Sequence, residues 1–182
     1  MTNSIRRELT AMSRRKPSAP LAWAYKEGLI ESAVFDWGCG KGMDSRWLKE
    51  EGLEVISYDP FYNNAITPDC VCFEEVRTIL LIYVLNIIED RKERESLLYD
   101  IKNLSQEDTT VIIAVPRAKQ IESRAKKSTW KSYSDGFVTK RDTFQKGYTL
   151  GEFADDCMKI GKLRQVKKLS GSLVGVVSIG GR

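Results

Sequence analysis

The sequence predicts an α/β protein with a doubly wound, mostly parallel sheet of about seven strands and a C-terminal antiparallel hairpin. Residues 34–52 have the pattern of a strand, a glycine loop and a helix. Residues 78–83 form an almost continuous apolar run, which is typical of a strand buried on both faces of a parallel sheet. Residues 163–169 and 173–179 alternate around a Ser-Gly-Ser turn, which predicts the hairpin. A chain of 182 residues suits a single domain, 1–182.

The glycine loop is the strongest functional signal. Three glycines at alternate positions, Gly38, Gly40 and Gly42, let the backbone approach a ligand at a helix N-terminus. The next predicted strand, 53–58, ends at Asp59, the place where nucleotide-binding folds keep an acid for ribose hydroxyls. The spacing G-x-G-x-G differs from the G-x-G-x-x-G of dinucleotide sites, which argues against NAD. Asp36, just before the loop, suits a ligand with an amine and no phosphates.

This stretch resembles motif I of the class I S-adenosylmethionine-dependent methyltransferases, with Asp59 at the motif II position. The chain is more closely similar to the DNA phosphorothioation-associated methyltransferases, through segments 13–20, 83–90 and 135–146, although Asp142 replaces the small residue expected there. The resemblance covers about residues 10 to 155. It implies a Rossmann-like fold that ends in an antiparallel pair and a cofactor, S-adenosyl-L-methionine. The implied cofactor-binding residues are Asp36, Gly38, Cys39, Gly40, Gly42, Asp59, Pro60 and Asn86.

Residues 59–62 also have a second interpretation. Asp-Pro-Phe-Tyr is similar to the tetrapeptide with which amino-group DNA methyltransferases hold a flipped base. In those enzymes the tetrapeptide follows the fourth strand, whereas here it follows the second. The ribose role of Asp59 is therefore favoured.

The remaining elements follow from periodicity and from helix start and stop signals. Asn86 comes just after the buried run at 78–83, at the sheet edge where ligands bind in such folds. The other predicted elements are a basic amphipathic helix or partly disordered arm at 4–16, helices at 21–28, 91–104 and 149–160, a short third strand or the approach to it within 66–73, and a strand at 111–115.

Charge is unevenly distributed along the chain. Residues 1–30 carry six Lys or Arg and two Asp or Glu; residues 31–115 carry eight and seventeen; residues 116–182 carry fifteen and six. Segment 117–147 also interleaves aromatic residues with cations and has no periodicity of its own, which favours a substrate loop that stacks bases and holds phosphates. We therefore predict a nucleic acid, DNA or RNA, as partner. The alternatives are a solvated basic surface and an ordinary insertion packed by its aromatics.

The predicted substrate contacts lie in the basic arm, 1–20, and in the loop: Arg14, Arg15, Lys16, Arg141, Phe144, Gln145 and Lys146. A methyltransferase needs few catalytic groups, because the electrophile belongs to its cofactor. Carboxylates and one amide near the predicted sheet edge are the catalytic candidates: Asn86, Glu89, Asp90 and Asp135.

Composition excludes several other functions. The chain has no histidine, so Ser-His-Asp and Cys-His mechanisms are impossible. Its four cysteines lack zinc-ligand spacing, and no metal is expected. No apolar run reaches the roughly 20 residues of a membrane span, and the N-terminus lacks an apolar signal core, so a cytoplasmic location is expected. Two functions compete with a nucleic-acid methyltransferase: a non-catalytic cofactor-binding subunit of a DNA modification or defence system, and a small-molecule methyltransferase.

Overall fold

The computed structural model describes residues 5–180, which form five α-helices and nine strands. The helices are α1 (Ala19–Lys26), α2 (Met43–Glu50), α3 (Arg91–Leu104), α4 (Ala118–Ser128) and α5 (Leu150–Ile160). The strands are β1 (Val34–Trp37), β2 (Val55–Tyr58), β3 (Thr78–Ile82), β4 (Thr110–Pro116), β5 (Lys131–Tyr133), β6 (Gly136–Val138), β7 (Phe144–Gln145), β8 (Lys162–Lys168) and β9 (Ser172–Ser178).

The main sheet has the order β2-β1-β3-β4-β9-β8, with parallel pairing from β2 to β4 and antiparallel pairing at β9 and β8. The predicted fold class is therefore confirmed, with six strands in this sheet rather than about seven. The third strand expected within 66–73 is absent, and a short 3₁₀ turn at Pro68–Cys70 stands in its place. Proline cannot donate to a strand ladder, so this segment covers the core by packing Phe73 without joining the sheet.

Helices cover both faces of the sheet. On one face, α3 and α5 pack Leu98, Ile101 and Phe153 against β1, β3 and β4. On the other face, α1 and α2 contribute Leu21 and Leu48 to a second core cluster. All of β3 is buried, as its apolar run predicts. The carboxyl ends of β1, β2 and β3 consequently share one edge, where the candidate site lies.

Several predicted elements are found at nearly the predicted bounds. The α3 helix spans the predicted residues, and the β8–β9 hairpin is present. In α5, Thr149 and Glu152 form the predicted capping box, and the helix ends at Gly161. Among the described residues no helix has both the length and the apolar character needed to cross a membrane.

Two segments differ from the prediction. Segment 117–147 is not an aperiodic loop: it contains α4 and a small antiparallel sheet, β5-β6-β7. In α4 only Ile121 and Ala125 are buried, so few apolar residues mark this helix among its many polar and charged ones. Within 5–16, a 3₁₀ turn at Arg7–Thr10 replaces the long helix expected from residue 4, which itself lies outside the described residues. This segment lies across the sheet edge, as described below.

Candidate functional site

A cleft with a volume of about 120 Å³ opens at the carboxyl edge of the parallel strands. Its walls combine the end of β1, the turn after β2, the turn after β3 and the N-terminal segment. The lining residues are Arg7, Thr10, Ala11, Trp37, Gly38, Asp59, Pro60, Phe61, Tyr62, Tyr83, Val84, Ile87, Ile88 and Glu93.

The glycine loop forms one end of this cleft. Gly38, Gly40 and Gly42 have φ angles of +77°, +55° and +71°, in the left-handed region that disfavours other residues. The Gly38 amide donates to the Tyr58 carbonyl at 2.7 Å, which ties the loop to the end of β2. A Cβ at position 38 would collide with a methyl group of Val84. The loop therefore favours glycine at all three positions because of its positive φ angles, and at Gly38 also because of the Val84 side chain.

Asp59 joins the loop to the turn after β2. Its Oδ2 accepts from the Gly40 amide at 2.9 Å, and its Oδ1 accepts from the Phe61 and Tyr62 amides at 2.9 and 3.1 Å. The side chain is mostly buried yet lines the cleft. Through these bonds Asp59 fixes the glycine loop and the turn after β2 relative to each other. Its position in the sequence did not predict this structural role.

Asp36 lies beneath the loop and is almost fully buried. Ser45, in the first turn of α2, donates a hydrogen bond to its Oδ2. Burial raises the pKa of the Asp36 carboxyl to about 7, and the Ser45 hydrogen bond offsets part of that rise. Burial likewise raises the pKa of the neighbouring Cys39 thiol to about 12, which favours the neutral thiol.

The turn after β3 is strained. Tyr83 has a φ of +61°, which is unfavourable for an aromatic residue. Its amide donates to the Ala114 carbonyl at 2.8 Å, and its hydroxyl lies 2.6 Å from the Ser172 Oγ. Such strain concentrates at functional sites. The turn brings Val84 and Ile87 into the cleft wall, and the sequence carried no signal for this role of Tyr83.

Asn86 lies behind the cleft wall, under β7. Its side-chain Nδ2 donates to the Gln145 Oε1 at 3.2 Å, and its backbone carbonyl accepts from the Lys146 backbone amide at 2.8 Å. Within the described part of the chain, its buried Oδ1 has no hydrogen-bond partner. Asn86 and Gln145, selected separately from the sequence, are thus in contact, and they connect the sheet edge to the small sheet.

A network of two buried cations and two exposed carboxylates adjoins Asn86. Arg94 of α3 is 3% exposed; it donates to the Ile88 carbonyl at 2.7 Å and forms an ion pair with Asp135. The Lys146 ammonium lies 3.2 Å from both Asp135 and Glu152. Sequence reasoning missed Arg94. The sequence pattern that indicates its burial is helical spacing, because Arg94 shares the buried face of α3 with Leu97, Leu98 and Ile101.

The other three catalytic candidates all have structural partners. Asp90 is the N-cap of α3 and accepts from the Lys92 amide at 2.9 Å. Glu89 lies beside the cleft and accepts from the Arg7 Nε at 2.8 Å. Asp135 is held by the charge network. None of these contacts assigns a catalytic role.

The predicted substrate contacts fall into two groups. Arg15, Lys16 and Arg141 are exposed to solvent. Phe144 is fully buried and Lys146 is 6% exposed, so we revise their interpretation as substrate contacts: both hold the small sheet in place. Arg14, which is partly buried, donates to the Asp44 Oδ2 at 3.1 Å.

No protein-family model matches this sequence, and no curated protein matches it. Solved structures do share its fold. An S-adenosylmethionine-dependent methyltransferase from Methanosarcina mazei is 11% identical, with a TM-score of 0.65 over 86% of this chain and 98% of that one. One from Archaeoglobus fulgidus is 14% identical, with a TM-score of 0.59 over 95% and 94%. The 1,6-didemethyltoxoflavin-N1-methyltransferase of Burkholderia thailandensis, solved with S-adenosylhomocysteine, is 14% identical, with a TM-score of 0.61 over 89% and 77%.

Proposed function

We propose that this chain binds S-adenosyl-L-methionine in the cleft and transfers its methyl group to an acceptor. The observation that carries the proposal is the hydrogen bond between Gly40 and Asp59, which joins a glycine loop and a ribose-type acid at one end of a cleft. The shared methyltransferase fold supports it. The cleft lies at the sheet edge where ligands bind in α/β folds.

The residues present fit this cofactor. Loop glycines without a Cβ leave backbone surface for close approach of a ligand. Apolar side chains, among them Trp37, Val84 and Ile87, suit a flat adenine. A carboxylate has about four lone-pair sites, and Asp59 uses three of them on backbone amides, which leaves one for a ribose hydroxyl.

The bound cofactor would supply an electrophilic methyl group. The protein's own contribution is to orient the ligand and exclude water from the cleft. Asp36 would compensate the ammonium of the amino-acid portion, because its buried carboxyl lies directly before the loop. Asp59 would fix the ribose.

Isothermal titration calorimetry with S-adenosylhomocysteine tests the proposal, with NAD as the control ligand. We expect micromolar binding of S-adenosylhomocysteine alone, about 8 kcal/mol of binding free energy. Labelled methyl transfer would then be screened on DNA, RNA, protein and small-molecule pools. If neither ligand binds, the proposal fails; binding without transfer to any pool would support the non-catalytic subunit instead.

The same titration should depend on pH. The pKa of the Asp36 carboxyl is raised to about 7 in the free protein, by burial and by the nearby Asp44 and Asp59 charges, while Arg14 opposes the rise. A ligand ammonium favours the ionised carboxylate, so binding should release a proton and tighten as pH rises through 7. In Asp36→Asn this pH dependence should disappear.

For the acceptor we propose a nucleic acid. The Arg117 amide donates to the Gly171 carbonyl at 3.1 Å, which sets the start of α4 against the β8–β9 turn. Both elements carry exposed cations, which we take together as one basic surface, and the only acidic residue of α4 is Glu122. Such a surface fits phosphates. Its cations are Lys119, Arg124, Lys126, Lys127, Lys167 and Lys168.

Gel-shift titration against salt tests the nucleic-acid proposal. Replacing Lys126 and Lys127 with glutamine should weaken binding and reduce the slope of log affinity against log salt by about two, since each phosphate contact contributes about 0.9 on duplex DNA. The matched control replaces Lys92 and Lys102, exposed lysines of α3. Equal effects in both variants, or no binding at all, would favour a small-molecule acceptor.

A further inference from the structure

A strap formed by residues 6–14 crosses the mouth of the cleft. Three of its side chains, Arg7, Thr10 and Ala11, form part of the cleft wall. A Cβ built on Gly40 would lie 3.2 Å from the Ala11 Cβ, so the strap faces the glycine loop at close range. The strap therefore occupies space next to the backbone that a ligand would approach.

Arg7 attaches the strap to the far side of the cleft. Its guanidinium donates to both carboxylate oxygens of Glu93, at 2.6 Å for Nη2 to Oε2, and its Nε donates to Glu89 at 2.8 Å. These bonds to Glu93 and Glu89 raise the pKa of Arg7, so it stays charged. Arg7 is only 22% exposed, and bidentate pairs of this kind are the strong ones. This cluster is the latch of the strap.

Weaker contacts hold the rest of the strap. The Arg6 amide donates to the Asp142 carbonyl at 2.8 Å, next to the small sheet. The Tyr62 hydroxyl donates to the Glu8 carbonyl. Lys41 of the glycine loop donates to the Ser13 Oγ at 3.1 Å. The strap thus spans the cleft from the small sheet to the glycine loop.

The cleft beneath the strap is too small for a nucleoside-sized ligand. Its volume is about 120 Å³, whereas sites for such ligands occupy about 300–1,000 Å³. The glycine loop and the sheet edge are anchored by backbone hydrogen bonds, while the strap is anchored mainly by side chains. The strap is therefore the part of the wall that must move.

We propose that the strap is a gate: it closes the cleft in the free protein and opens when the Arg7 latch to Glu89 and Glu93 breaks. That the ligand is S-adenosylmethionine rests on the proposed function; the closure itself rests on the strap contacts and the cleft volume. Opening would also free Glu89, which borders the cleft, from its ion pair.

Stopped-flow binding of S-adenosylhomocysteine tests the gate, followed by tryptophan fluorescence because Trp37 lines the cleft. Arg7→Met removes the positive charge of the latch and keeps a long, unbranched side chain. We expect association about tenfold faster than in the unmodified protein, from the loss of a charge-assisted bidentate pair. Added salt should accelerate association in the unmodified protein but not in the variant. Equal association rates would overturn the proposal.

The matched control is Arg91→Met. It removes the exposed Arg91–Glu95 pair on α3, the helix that carries Glu93, away from the strap. Its association rate should match that of the unmodified protein. A second measurement needs no cofactor: hydrogen exchange at the Arg6 and Leu9 amides, both hydrogen-bonded in the closed strap, should be about tenfold faster in Arg7→Met. Unchanged exchange would overturn the gate. Faster exchange without S-adenosylhomocysteine binding would retain the gate and reject the cofactor.

Discussion

Replacing Gly40 with valine should abolish measurable binding of S-adenosylhomocysteine while the chain still folds. The side chain would project from the glycine loop toward Ala11, where a Cβ alone already approaches to 3.2 Å, and would fill the space that the ligand needs once the strap opens. We expect the affinity to fall by about 100-fold or more, equivalent to about 2.8 kcal/mol. The measurement is isothermal titration calorimetry of both proteins.

A loss of binding could also come from backbone strain, because Gly40 has a φ of +55°. Gly28→Val is the matched control. Gly28 has a φ of +68° and no atom within 4 Å of a built Cβ, so the variant carries the same strain of about 1–2 kcal/mol without filling the cleft. If filling the cleft causes the loss, Gly28→Val should bind S-adenosylhomocysteine as the unmodified protein does. Unchanged binding by Gly40→Val would refute this placement of the site.

Replacing Arg94 with methionine should destabilise the protein strongly. The buried guanidinium holds the Ile88 carbonyl and Asp135, and its loss leaves a buried carbonyl without a donor and Asp135 without one of its cations. We expect a loss of about 2–4 kcal/mol in the free energy of unfolding. At about 2–4 °C per kcal/mol for a chain of this size, Tm should fall by about 5–15 °C.

Differential scanning calorimetry measures this shift, with Arg91→Met again as the control. The Arg91 side chain is 77% exposed, and removing its ion pair should change stability by less than about 0.5 kcal/mol. If both variants lose the same small amount, the network around Arg94 does not hold the small sheet. A cleft variant such as Gly40→Val should, by contrast, affect binding more than stability.

The sequence by itself determined the parts of this protein in which one local rule decides the structure. The run at 78–83 could only be a buried strand, the capping box set the start of α5, and the glycine spacing defined the loop that approaches β2. In each case the residue types needed for the structure stand next to one another in the chain, so a local pattern predicts the element even where its hydrogen-bond partners are distant. The carboxyl ends of parallel strands must then meet at one edge, which placed Asp59 and the loop at a common site.

Only the tertiary structure decided what depends on contacts between distant residues. Segment 117–147 forms α4 and a small sheet because its few apolar side chains find buried positions against other elements, a stabilisation that no local pattern reveals. The position of Arg94 on the apolar face of α3 predicts its burial, but only the tertiary structure brings its partner Asp135, 41 residues away, into contact with it. The strap is decided by Arg7 and Glu93, 86 positions apart, because an ion pair depends on distance in space and leaves no period in the chain.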